Sequence, residues 1–580
     1  MLEMPSEIVP KVLDSNCKQY QSEDDRENTE LERQLERLRK NLFSLDSNSP
    51  HSAFECLQIT TKIQQITKLL ASPEKSAFGG GILHEALLRI EQEFVNLLVH
   101  YKQSHVVPEI TSFRSSEGNF EDLSINSFGD DLIEARNSQI EIGNLSAEQS
   151  VVDLVNPLVL PTLKSIAELM FVSTYEEELI EAYVNARMEE VDEILLKLQF
   201  EKFSIDEVLN MDWTKLNSLI RRWNWALKIF VRVYLTSERR LIELIFGNIS
   251  KGLASSCFFE ISKVPMLHLM SFPDAVAIGK PKTEKLFRVL DMHETLVEML
   301  GDVKNLYQEQ TDGSIMGEYR EVLLRSGEFA NGILMEFRSA IQLNLSKTVP
   351  ANGAVHPITR YVMNYIQTLS AYSSTLESLL GGRNGKEEYY ASVAQMLESN
   401  LESRSQFYTD EALQNLFMMN NICYMVQKVK DSDLRSIMGD DWIRLHNKRF
   451  QTYAMNYERA SWGPVLSFLR DEGIYHPRSS FPSTSVLKER FKGFNSGFEE
   501  AYRIQTGWLV PNSQLRDDLR ISVSLKVLQA YRSFLGRYDQ FFDGVRHRER
   551  YIKYRPDDLE SFLLNLFEGT QRSLNYAYRR

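Results

Sequence analysis

Apolar residues recur at helical spacing along almost the whole chain, and that recurrence restricts the fold more than any other feature of the sequence. Leu31, Leu35, Leu38, Leu42 and Leu45 are spaced four, three, four and three. Each step is close to one helical turn, so the five side chains share one face of a helix. After a break at Ser47-Asn48-Ser49-Pro50 the period returns in Cys56, Ile59, Ile63, Ile66 and Leu70. Phe78-Gly79-Gly80-Gly81 reads as a hinge before a third run, Leu83, Leu87, Ile90, Phe94, Leu97 and Tyr101. The same period reappears in Leu216, Ile220, Trp223, Leu227, Phe230 and Tyr234, and again in Leu487, Phe491, Phe494 and Phe498. No stretch alternates apolar and polar residues between hairpin turns. The pattern predicts an all-α fold, an elongated rod of stacked helical bundles with an N-terminal coiled-coil-like region. No fixed period of 20–50 residues is visible, so a repeat array is not indicated.

Three segments follow from this reading. Residues 1–104 hold the three N-terminal runs, and the seam Leu31, Leu35, Leu38, Leu42 and Leu45 is expected to meet partner helices during complex assembly. Residues 105–145, rich in Ser, Asn, Asp and Gly, read as a flexible linker. Within it, Phe120 and Leu123 bracket Glu121 and Asp122. That is the shape of a short motif read by ubiquitin-like autophagy proteins through strand addition and two apolar pockets, although such four-residue matches also arise by chance. Ser146-Ala147-Glu148-Gln149 and Ser204-Ile205-Asp206-Glu207 both carry the capping-box pattern. From 146 to 580 helical segments follow one another, ending in a bundle over about 480–580, with breaks expected at prolines that include Pro265, Pro273 and Pro357.

The residues offer no reaction centre. Cys17, Cys56, Cys257 and Cys423 are far apart and form no CxxC pair, so buried, reduced thiols are expected. The ten His include no HExxH. Gly381-Gly382-Arg383-Asn384-Gly385-Lys386 lacks the spacing of a phosphate-binding loop, and no GxSxG elbow is present. Glu176-Glu177-Glu178 and Glu189-Glu190 suit solvated helix faces, and Trp223 sits on an apolar seam, which assigns it to a core. The expectation is a protein that is not an enzyme, with no catalytic residue, metal ligand or cofactor. The first residues lack the basic and apolar regions of a signal peptide. The most apolar run, Trp223 to Leu235, is interrupted by Lys228 and Arg232, so membrane contact is expected to be peripheral.

One local feature stands against an acidic background of net charge -14. Arg546, Arg548, Arg550, Lys553 and Arg555 fall within ten residues that contain one acid, Glu549. Tyr551, Ile552 and Tyr554 are interleaved with them and are expected to pack on Phe562, Leu563 and Leu566. Pro556 stops the segment and a last amphipathic helix follows. A basic, aromatic-punctuated turn suits an anionic surface. Single-stranded RNA would use the same residue types, but the whole-chain charge opposes nucleic-acid binding.

Several segments together resemble one family. They are LIRRWNWALKIFVRVYLTSERRL from Leu219, SFPDAVAIGKPKTEKLFRVL from Ser271, VHPITRYVMNY from Val355, YERASW from Tyr457, LKERFKGF from Leu487, LRDDLRISV from Leu515, AYRSFLGR from Ala530 and RYIKYRPDDLESFLLNLFEGT from Arg550. In order and number these resemble the seventy-kilodalton subunit of the exocyst, in the style of its plant branch, over residues 146–580. The resemblance implies a helical rod within a complex that tethers secretory vesicles to the plasma membrane in exocytosis. It implies N-terminal helices joined to other exocyst subunits, and a cytoplasmic protein held peripherally at the inner face of the plasma membrane and on secretory vesicles. It also implies phosphoinositide binding at the positions matching Arg550 and Lys553, with Arg546, Arg548 and Arg555 added by proximity. The family usually has Lys where Arg550 stands; Arg keeps the charge and binds phosphate bidentately. Whether small GTPases are further partners stays open. A second reading also stays open: a stand-alone helical adaptor in autophagy-related or immune trafficking that no longer acts in the exocyst.

Overall fold

The computed structural model describes residues 23–45, 50–70, 73–103, 151–201, 203–308, 313–344, 346–475 and 481–572. They are helical, with three isolated β-bridges and no strand among the described residues. Phe120, Leu123 and the capping pattern at 146–149 lie outside them. The described residues form two compact units. One runs to Val276 and includes Thr295–Val322; the other takes Ala277–Glu294 and everything from Leu323 onward.

The first unit holds α1 (Glu23–Phe43), α2 (Pro50–Leu69), α3 (Pro73–His100), α4 (Leu160–Val172), α5 (Glu176–Lys197), α6 (Ile205–Leu209), α7 (Trp213–Ile229), α8 (Thr236–Phe246) and almost all of α9 (Lys251–Ile278). The helices α10 (Leu286–Tyr307) and α11 (Ser314–Leu343) give residues to both units. The second unit continues with α12 (Pro357–Leu369), α13 (Ser373–Leu379), α14 (Arg383–Ser405), α15 (Glu411–Lys430), α16 (Leu434–Ser467, bent at Gly439), α17 (Thr484–Gln505), α18 (Ser513–Tyr538) and α19 (Pro556–Leu563).

The apolar periods build the cores. Leu216, Ile220, Trp223, Leu227, Phe230 and Tyr234 are buried, as are Leu487, Phe491, Phe494 and Phe498. Ser204 and Glu207 form the expected capping box on α6. Cys56, Cys257 and Cys423 are buried free thiols, and burial pushes them up to about 11, about 12 and about 11.

Three features depart from the sequence reading. First, Gly79–Gly81 is not a hinge: α3 runs through it. A Cβ on Gly79 would stand 2.8 Å from Leu70 Cδ1 and 3.2 Å from Thr67 Cγ2. The glycine is needed because α2 and α3 approach so closely there, not because the chain bends. Second, Pro265 and Pro273 lie inside α9. A proline removes the N–H that would bond four residues back, which at Pro273 leaves the Leu269 carbonyl open. The buried Trp223 indole fills the gap, its Nε1–H donating to Leu269 O at 2.7 Å. Third, the described N-terminal helices pack on helices that follow residue 150 as well as on each other. Phe94 of α3 packs its ring on Tyr183 of α5 and Phe246 of α8, and Gln64 Nε2 donates to Ser173 Oγ at 2.7 Å. The two chain ends flanking 104–150 are joined by an antiparallel bridge. Gln103 N–H donates to Leu154 O at 3.0 Å, and Asn156 N–H to Tyr101 O at 2.9 Å.

Inside the first unit lies a charged group taken fully out of water. Arg187 Nη2 is 2.8 Å from Glu238 Oε2, and Tyr183 Oη donates to Glu238 Oε1 at 2.7 Å. Burial disfavours the Arg187 cation, but the Glu238 carboxylate outweighs it and holds the guanidinium pKa above its ordinary value. Burial, aided by Glu238, pushes the Tyr183 phenol well up, so it stays a donor.

Candidate functional site

The basic turn begins where α18 ends. A short 3-10 turn, Asp539–Phe542, leads into Gly544 at φ +84 and His547 at φ +63. Gly544 supplies the left-handed conformation at no steric cost. His547 adopts it with a side chain, an uncommon arrangement that a local network fixes: Arg550 N–H donates to His547 O at 3.0 Å, and His547 Nδ1 lies 3.3 Å from Glu549 Oε1. A second 3-10 turn, Arg548–Arg550, precedes extended residues to Arg555. Pro556 then opens α19, and Asp558 accepts from the Arg555 N–H at 2.9 Å.

The aromatic residues peg the turn to the bundle. Tyr554 is 1% exposed, with its ring 6.0 Å from Phe498 and 5.9 Å from Phe562. Its carbonyl accepts from Tyr531 Oη at 2.7 Å, and its own hydroxyl donates to Glu499 Oε1 at 2.9 Å. Tyr551 is half-buried, 5.9 Å from the Phe542 ring, and its carbonyl accepts from buried Asn495 Nδ2 at 2.8 Å. The packing of Tyr554 on Phe562 is the one the sequence leads one to expect.

The five cations divide into two sets. Arg548 is paired with Asp539 and, at 3.3 Å, with Asp543. Lys553 Nζ is 2.6 Å from Glu499 Oε1. Arg546, Arg550 and Arg555 are exposed, and among the described residues none of the three side chains makes an ion pair. Glu549 subtracts from this surface. Its own backbone N–H and His547 hold the carboxyl below the usual range, so it is ionised at neutral pH.

Two cations that the sequence reading passed over stand beside the turn. Lys488 and Lys492, one helical turn apart on α17, each place Nζ 5.4 Å from the centroid of the Tyr551 ring. The ring attracts both ammonium groups, and among the described residues no carboxylate pairs with either. Their spacing of four is visible in the segment from Leu487 to Phe494; that this face of α17 lies against Tyr551 is not.

The other sequence-predicted residues are distributed as follows. Leu35 and Leu42 are buried where α1 packs on α2 and α3, while Leu31, Leu38 and Leu45 are half-buried. The seam is therefore partly closed by the chain's own helices, and a partner helix reaches only the half-buried members without unpacking α1. Among the described residues no three His, Cys, Asp or Glu side chains are grouped to hold a metal, and no helix is long and apolar enough to cross a membrane.

This geometry defines a class first: an all-helical protein whose distinctive site is a charged surface presented by a well-packed bundle. Comparison with known proteins gives the family. The family model described as the C-terminal part of the Exo70 exocyst complex subunit matches residues 221–565. EXO70E2 of Arabidopsis thaliana is 37% identical over 85% of this chain and 78% of its own length. EXO70B1 of the same plant is 34% identical over 84% of this chain and 79% of its own. The crystal structure of the exocyst component Exo70p of S. cerevisiae superposes with a TM-score of 0.60, covering 92% of this chain and 99% of that one; at 14% identity it bears on the fold alone. The chain belongs to the Exo70 family of exocyst subunits.

Proposed function

We propose that this chain tethers secretory vesicles to the plasma membrane as an exocyst subunit, and that its C-terminal basic turn holds the inner, phosphoinositide-bearing leaflet. One observation carries the membrane reading. Lys488 and Lys492 stand over the Tyr551 ring, and Arg546 and Arg550 are exposed on the turn itself, all four without ion pairs among the described residues, in a chain of net charge -14. Uncompensated cations on a rigid support are ready for an anion. Lys553 belongs to the same surface: its pair with Glu499 is solvent-accessible, and such pairs are worth about 0–1 kcal/mol, so a headgroup phosphate can replace the carboxylate.

A basic residue near an anionic leaflet contributes about 1 kcal/mol. Five such residues less the nearby Glu549 give about 4 kcal/mol, roughly a thousandfold enrichment at the surface. That is modest for one protein. It becomes effective when other subunits of the complex contribute contacts, because each further contact is then intramolecular. The half-buried leucines Leu31, Leu38 and Leu45 are the members of the N-terminal seam left for those subunits.

The test is flotation of the purified chain with vesicles that contain or lack phosphatidylinositol bisphosphate. Wild type should float only with the phosphoinositide, and Arg550→Glu with Lys553→Glu should lose it. Equal flotation of both proteins would remove the turn as the anchor. Absence of flotation in both would favour the soluble-adaptor reading.

A further inference from the structure

A groove in the second unit carries a charge arrangement that the membrane surface does not use. It lies between α11 and α14 and encloses about 500 Å³. The two helices run in the same direction there and are tied at both ends: Tyr389 Oη donates to Leu334 O at 3.2 Å, and Asn400 Nδ2 to Ile341 O at 3.0 Å. The groove is thus held open by the fold. Ser392, Ser399 and Ser403 leave space along one wall, and Met396 with the exposed ring of Phe407 supplies an apolar patch.

At its end stands Arg404, 2% exposed. Its guanidinium faces only uncharged groups: Asn400 Oδ1 at 2.6 Å, Ser346 O at 2.5 Å, Asn344 O and Oδ1 at 3.0 and 2.8 Å, and Thr348 O and the neutral His356 Nε2, each at 3.4 Å. Among the described residues no carboxylate pairs with it, and burial lowers its pKa. The carboxyl end of α11, where Asn344 sits, offers about half a negative charge in partial compensation. Buried charges are ordinarily paired. Arg338, half-exposed on the groove wall, adds a second cation, and none of the lining residues is acidic. In a chain with 80 acidic and 66 basic residues, a groove holding two arginines and no carboxylate is a departure from the background.

We infer that this groove is a docking site for an acidic peptide segment of a partner protein. A carboxylate of the peptide meets Arg338 on the groove wall, and an apolar side chain of the peptide lies on Phe407 and Met396. The ligand chemistry is carboxylate plus hydrophobe on an extended or helical segment. The volume of about 500 Å³ admits side chains of a peptide, and the serine wall offers hydroxyl oxygens that can accept from its backbone N–H groups.

Arg404 is unsuitable for mutation because it holds the α11 terminus. Arg338 and Phe407 are accessible and can be changed without opening the core. The experiment pans a random dodecapeptide display library on the full chain, with parallel selection on Arg338→Glu and on Phe407→Ser. Sequences rich in Asp and Glu with one or two large apolar residues should be enriched on wild type. A synthetic peptide of the leading sequence should bind about tenfold more weakly to Arg338→Glu and more weakly to Phe407→Ser, with thermal unfolding of both variants unchanged. Enrichment of basic or charge-neutral sequences, enrichment indifferent to both substitutions, or no enrichment on wild type would each overturn the inference.

Discussion

Arg187 with Glu238 and Lys553 with Glu499 are both cation–carboxylate pairs, and their different settings decide what each can do. Arg187 and Glu238 are sealed in the first unit, with Tyr183 closing the carboxylate. Taking two charges out of water is costly, so separating them afterwards is more costly still. Lys553 and Glu499 face solvent on the second unit, where water and salt stand in for either partner. The buried pair fixes a packing arrangement. The exposed pair can exchange partners, which the membrane role proposed for Lys553 requires.

The sharpest way to break this comparison is Glu238→Ala. It strands the Arg187 guanidinium and should cost about 3–5 kcal/mol in chemical denaturation; a loss below about 1 kcal/mol would mean that water reaches the site. Acid gives the next effect. Buried His356 caps α12, with Nδ1 accepting from Ile358 N–H at 3.1 Å and Nε2–H donating to Thr348 O at 3.1 Å. Burial, with Arg404 nearby, lowers its pKa from 6.5 to about 4, so the folded state holds it neutral. Between those two values the unfolded chain takes up a proton that the folded chain refuses. Stability should therefore fall as pH drops from 6.5 toward 4, by about 3 kcal/mol, and level off below. His356→Asn keeps an acceptor for the cap and should flatten that part of the pH profile.

Smaller again is Trp223→Phe, which leaves the Leu269 carbonyl without its indole donor inside the core. The expected loss is about 1–2 kcal/mol, read as a shift of the denaturation midpoint at constant slope. At the far end, Glu499→Gln should change stability by less than about 0.5 kcal/mol. It should still raise partition onto phosphoinositide vesicles severalfold, because it frees Lys553 and removes a like-charged neighbour of the headgroup. Unchanged partition would show that the Lys553–Glu499 pair imposes no restraint.

The cores were legible because burial follows the 3.6-residue period directly, and the residues from Leu216 to Tyr234 needed no tertiary information. The misread positions are those where a local signal met a tertiary one. Glycines 79 to 81 look like a break, yet they allow α2 and α3 to touch. Pro273 looks like an end, yet Trp223, distant in sequence, satisfies the carbonyl it opens. The turn was legible as a charge cluster. Which of its cations are already neutralised was not, because Glu499 and Asp539 carry no mark in the sequence of the partners they hold. Lys488 and Lys492 were hidden for the same reason. The N-terminal leucines were read as a seam for partners; Leu35 and Leu42 are closed by the chain's own α2 and α3. Deleting residues 1–104 would therefore strip Phe94 from the core beneath Tyr183 and Phe246, and substitution at Leu31 and Leu38 is the cleaner probe of assembly.

The bridge between Lys102 and Val155 has a consequence for engineering. It ties together the described residues on either side of 104–150, so the helices before and after are held in register by bonds of their own. Doubling the length of such a closed excursion adds only about 0.6 kcal/mol of closure entropy. A fluorescent domain or an epitope grafted into 104–150 should leave the melting temperature nearly unchanged.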